Sequence, residues 1–114
     1  MSLSGLKRFQ AAELSKRQET LIAELAAEAR ADALEMIAAS GSGHPGGALS
    51  SLDLYLMLWL CADISPESLD APARDRIVVS HGHTVAALYA VLGNLGYFDV
   101  HECKQRFRRD GSVF

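Results

Sequence analysis

The side chains best suited to chemistry in this sequence are histidines set beside glycines. His44 lies in Gly43-His44-Pro45-Gly46-Gly47, and His83 in Ser80-His81-Gly82-His83-Thr84. In the first loop Pro45 fixes its own φ and pushes His44 toward extended geometry. The glycines let a backbone come close to a bulky neighbour. A histidine held on such a loop at a helix start can donate to an oxygen-rich ligand. The competing reading is a plain connection between helices that carries an exposed histidine. In the second loop an apolar run enters the turn and a helix leaves it. Ligands of α/β proteins gather at the carboxyl ends of strands. The helix N-terminus adds free amides and partial positive charge, which suit phosphate. His83 would add a donor there. The competing reading makes Gly82 a tight-turn residue and His83 a cap or surface residue. This second loop is not a P-loop, since GxxxxGK[ST] is absent, and it is not GxGxxG.

A metal centre is the weaker reading of these residues. His81 and His83 alternate, and His44, His101 and Cys103 are further ligand types. Zinc needs three or four converging ligands. Residues at i and i+2 converge only on an extended strand, and Gly82 turns the chain between these two. HExxH is absent. Lys104, Arg106, Arg108 and Arg109 form a basic cluster diluted by Glu102 and Asp110. It reads as a solvated helix face in preference to an anion site. Cys61 and Cys103 fit no CxxC pattern and read as reduced thiols, with a single disulfide left open.

Four helices and one strand are expected to position the two loops. Residues 1–14 read as a polar lead-in and residues 15–114 as one partial domain. The first helix spans Lys16 to Ala39, opened by a capping box at Ser15 and Gln18. Leu21, Leu25, Ala29, Ala33 and Ile37 form its apolar stripe. Ser40 to Gly47 breaks it. A second helix, Leu49 to Cys61, is apolar almost all round and is expected to be buried on most sides, with Tyr55 and Trp59 in the core. Asp63 to Pro72 reads as a loop and Arg76 to Ser80 as a short buried strand. The third helix runs from Val85 to Leu95, and Val100 to Arg108 forms a short basic helix.

A lone buried strand needs neighbours for its backbone hydrogen bonds. Two outcomes stay open: an all-α domain with one misread segment, or part of a larger α/β protein. The second is favoured, giving a parallel sheet flanked by helices, helix-rich in this segment and incomplete by itself. Composition agrees with a globular chain. The 114 residues are 49% hydrophobic and 22% charged, with a net charge of -3. That argues against a disordered chain and against a nucleic-acid binder. The apolar run Leu54 to Ala62 is far short of the roughly 20 residues a membrane span needs. The N-terminus lacks the apolar core of an export signal, so a soluble, cytoplasmic protein is expected.

Several motifs together carry a family likeness. Ser42-Gly43-His44-Pro45-Gly46-Gly47, Leu52-Asp53-Leu54, Asp75 to His83, Leu88-Tyr89-Ala90 and Gly96-Tyr97-Phe98 follow in fixed order. Phe107-Arg108-x-x-Gly111-Ser112 extends the series. From about Leu21 to Phe114 the chain resembles the N-terminal stretch of transketolases. The Gly-Gly after Pro45 and the compact segment between the loops look most like the split, short-subunit members.

The resemblance implies a thiamine-diphosphate-binding fold, with thiamine diphosphate as cofactor and Mg2+ on its diphosphate. By that likeness His83, with Gly82 beside it, faces the diphosphate. His44 matches the histidine that reaches the donor sugar, where it would hydrogen-bond or move a proton on ketose hydroxyls. The implied reaction moves a two-carbon ketol unit from a ketose phosphate to an aldose phosphate. Departures matter. The family's Gly-Asp-Gly, with its downstream Asn, holds the magnesium; Asp110-Gly111 lacks the leading Gly. The activating glutamate of the second domain and a further Gly-His are also missing. His81 stands where Lys or Asn is commoner, and Thr84 where a small residue is common. The expectation is therefore a chain inactive alone, working in a homo-oligomer or with a complementary transketolase chain. The alternative is a non-catalytic helical interaction module derived from a thiamine enzyme.

Overall fold

Ser15 starts the first helix in the computed structural model, which describes residues 3–114. The first two residues of the expected lead-in lie outside the described residues. The Ser15 Oγ accepts from the Gln18 amide at 3.3 Å, and the Gln18 Oε1 accepts from the Ser15 amide at 2.9 Å. This reciprocal cap satisfies two orphan donors and is worth about 1 kcal/mol. Helix α1 runs Lys16–Ser40 and stops at Gly41, whose φ of 62° only glycine adopts cheaply. Its buried seam is Ala26, Ala29, Ala33 and Met36, while Leu21, Leu25 and Ile37 are half-buried. The small seam lets α1 lie close to its neighbours.

Helix α2, Pro45–Cys61, begins before the expected Leu49. Pro45 takes the first helical position, where its missing N–H is no loss and its fixed φ suits the helix. Gly46 and Gly47 thus form the first turn, and His44 becomes the N-cap residue. Leu52, Tyr55, Leu56, Trp59 and Leu60 are buried, whereas Leu54 is 68% exposed. The other end of α2 is closed by Lys7, whose ammonium donates to the Trp59 and Ile64 carbonyls at 2.8 and 2.6 Å. Burial pushes the Lys7 pKa below its ordinary value. Leu6 is buried and Arg8 pairs with Asp63, so these N-terminal turns pack on α2.

The expected strand at Arg76–Ser80 is not there. Among the described residues no strand occurs, so the parallel sheet of the expected α/β class is absent from this segment. The physical reason is that one strand has no ladder partner. Ile77 and Val79 rest partly against the core, while Val78 between them is 88% exposed.

Helix α3, Val85–Asn94, buries Ala86, Ala87, Ala90 and Val91 between α1 and α2. Helix α4, Val100–Arg106, is capped by Asp99, which accepts from the His101 amide at 2.8 Å. It ends before Arg108, so Arg108 and Arg109 are not on its face. Lys104 bridges Asp32 and Glu35, each at 2.8 Å, and Asn94 donates to Asp32 at 2.7 Å. This half-buried cluster joins α1, α3 and α4. Tyr89 meets Phe98, Phe107 and Phe114 edge-on. Cys61 and Cys103 are free, buried thiols, and burial with Asp32 and Glu102 nearby pushes Cys103 up to about 12. No helix among the described residues is long and apolar enough to cross a membrane.

Candidate functional site

His44 and His83 come together. Their rings meet edge to face, with centroids 4.6 Å apart and planes at 82°. His44 caps the start of α2, at φ -124° and ψ 85°, with its side chain free of any capping bond. His83 lies in the short 3-10 turn Gly82–Thr84 that leads into α3. Two separate loops thus deliver two exposed imidazoles to one place at two helix starts.

The packing beneath explains why the loops meet. Thr84 is buried, and its hydroxyl sits 2.5 Å from the Tyr55 hydroxyl and donates to the His81 carbonyl at 2.8 Å. Tyr55 belongs to the buried face of α2, so that helix fixes the turn that carries His83. A Cβ on Gly47 would lie 3.7 Å from the Thr84 methyl, an ordinary contact between the two helix starts. On the other loop, Ser40 Oγ donates to the Ser42 carbonyl at 2.9 Å and accepts from the Ser42 amide at 3.2 Å. Gly43 follows at φ 138°, a conformation side chains rarely adopt, and a Cβ there would lie 2.8 Å from Ile37 Cγ1. The loop reaches His44 only because this residue is glycine.

The arrangement suits an oxygen-rich anionic ligand. The first-turn amides of α2 have no helical acceptor by geometry and carry partial positive charge. A Cβ on Gly46 or Gly82 would meet nothing within 4 Å, so there is open space before both turns. The residues therefore fit one edge of thiamine diphosphate. Among the described residues no group of three His, Cys, Asp or Glu converges. His101 faces a separate polar hollow with Glu35, Lys104 and Arg109, and Cys103 packs on Met36. Sequence reasoning missed Arg108, whose Nη1 donates to Ser42 Oγ at 2.8 Å, just before the histidine loop. The Phe107-Arg108 motif was the available signal, but its partner was not visible.

The family model for the transketolase thiamine diphosphate binding domain matches residues 22–113. The chain belongs to that family. Transketolase 1 of Saccharomyces cerevisiae is 38% identical over 81 residues, covering 70% of this chain and 12% of that protein. The 6-deoxy-6-sulfo-D-fructose transketolase subunit SqwG of a Clostridium species is 40% identical over 81 residues, covering 70% of this chain and 29% of that subunit. A transketolase of Staphylococcus aureus is 38% identical over 84 residues, covering 73% of this chain and 12% of that protein. The chain thus spans a small part of the full-length relatives and under a third of the subunit. No solved structure matches it.

Proposed function

We propose that this chain is the N-terminal part of the cofactor-binding domain of a transketolase and forms one edge of its active site. The 4.6 Å contact between His44 and His83, made by two loops distant in sequence, is the observation that carries this reading. In it, His83 and the Gly82 turn hold the diphosphate side of thiamine diphosphate. His44 hydrogen-bonds the hydroxyls of the donor ketose phosphate and moves a proton there. When bound, the cofactor supplies the carbanion chemistry that carries a two-carbon ketol unit to an aldose phosphate. Mg2+ is held by residues elsewhere in the complete enzyme.

The rest of the enzyme also supplies what the fold lacks. Ile77–Val79 becomes a strand once a neighbour offers backbone partners. Leu54, Leu58 and Val78, at 68%, 40% and 88% exposure, give an apolar face that favours association with another chain or further domain. The test is kinetic. In the assembled enzyme His83→Ala should weaken thiamine diphosphate binding, whereas His44→Ala should leave it intact and lower kcat by about a hundredfold or more. The 114-residue chain alone should show no ketol transfer. Turnover by the isolated chain, or normal cofactor affinity in His83→Ala, would refute the reading.

A further inference from the structure

Arg108 is built to reach the histidine loop. It stands just beyond α4 with φ 54°, a left-handed backbone that costs a non-glycine residue energy. That backbone is held by its amide, which donates to the Phe114 carbonyl at 3.0 Å. The guanidinium carbon lies 5.5 Å from the centroid of the Phe107 ring, and Phe107 is fully buried against Tyr89. From this anchored base Nη1 donates to Ser42 Oγ at 2.8 Å. Arg108 forms no ion pair among the described residues, although Asp110 is near in sequence. Its guanidinium is spent on a neutral hydroxyl instead.

Ser42 is where a hold on the loop has most effect. Both its backbone groups are tied to Ser40, and only Gly43 separates it from His44. Gly43 has φ 138°, and a Cβ there would lie 2.8 Å from Ile37 Cγ1, so only glycine fits this link. Fixing the Ser42 side chain therefore fixes where His44 starts.

We propose that Arg108 is the positioning residue for His44, acting through Ser42. This rests on the reading of His44 as the residue facing the donor sugar. Arg108→Met keeps the length and the stacking surface but removes the donor. Ser42→Ala removes the acceptor. Arg108→Lys keeps the charge and restores a donor with poorer geometry.

The first readout is the imidazole nitrogen–proton NMR spectrum of the chain, which needs no activity. Arg108→Met and Ser42→Ala should each move the His44 signals, and the double variant should add nothing to either. His101, on α4, should stay unchanged, and Arg108→Lys should recover part of the shift. In the assembled enzyme Arg108→Met should lower kcat/KM for the donor about tenfold, the loss of one charge-assisted hydrogen bond, with cofactor affinity unchanged. Unmoved His44 signals in both single variants, or fully additive effects, would overturn the proposal. An inactive parent enzyme would count against the functional reading, while the spectra would still decide the role of Arg108.

Discussion

Gly43→Ala tests the geometry that delivers His44. At φ 138° an alanine backbone is strained by about 1–3 kcal/mol. Its Cβ would also lie 2.8 Å from Ile37 Cγ1. Ile37 is half-buried on α1, so relief means shifting it or the loop, an overpacking cost of about 1 kcal/mol or more. Together the two effects come to about 3 kcal/mol. For a domain of this size that lowers the melting temperature by roughly 10 °C. Gly46→Ala is the matched control. It lies in the first turn of α2, and its Cβ would meet nothing within 4 Å. Alanine there should be neutral or raise stability by about 0.5 kcal/mol, by restricting the unfolded chain and favouring the helix. Thermal denaturation followed by circular dichroism measures both. A Gly43→Ala protein that melts no lower than Gly46→Ala would refute the loop geometry.

Two further outcomes follow from the buried groups. Lys104→Met should cost about 1–3 kcal/mol, because Asp32 would keep only Asn94 as a partner in a half-buried site. Hydrogen bonds to Asp32 and Glu35 raise the Lys104 pKa above its ordinary 10.5. Its contribution is therefore complete below 10.5 and fades as pH rises through the higher folded value. Melts on both sides of that pH should show a larger loss in the parent than in Lys104→Met. Cys103, pushed up to about 12 from an ordinary 9.0, acts in the same direction, since ionising it favours the unfolded chain as pH rises above 9.0. At neutral pH neither buried thiol should react with a thiol reagent until the chain unfolds, and fast labelling of native Cys103 would contradict its burial.

Local signals were legible in the sequence, and long-range ones were not. Ser15 and Gln18 announced the start of α1, and the cap forms as expected. The early start of α2 is hidden because Gly46 and Gly47 read as a breaker, although Pro45 at a first helical position licenses both. Arg76–Ser80 has the composition of a strand, but a strand is a pairing and this segment has none. The histidine loops were visible as separate motifs. Their meeting depends on Tyr55 gripping Thr84, a contact between residues far apart that no periodicity reveals. Arg108 reads as one of a basic cluster because charge clustering is a local property, whereas its bond to Ser42 is not.

In the proposed function this chain supplies a cofactor-binding edge through His83. Native mass spectrometry of the chain in its purified assembly, with and without thiamine diphosphate and Mg2+, tests it most directly. The complex should gain the cofactor mass, and should lose that gain in His83→Ala. A complex that gains no cofactor, or gains it equally well without His83, would rule out a cofactor-binding role for His83 and favour a non-catalytic interaction module.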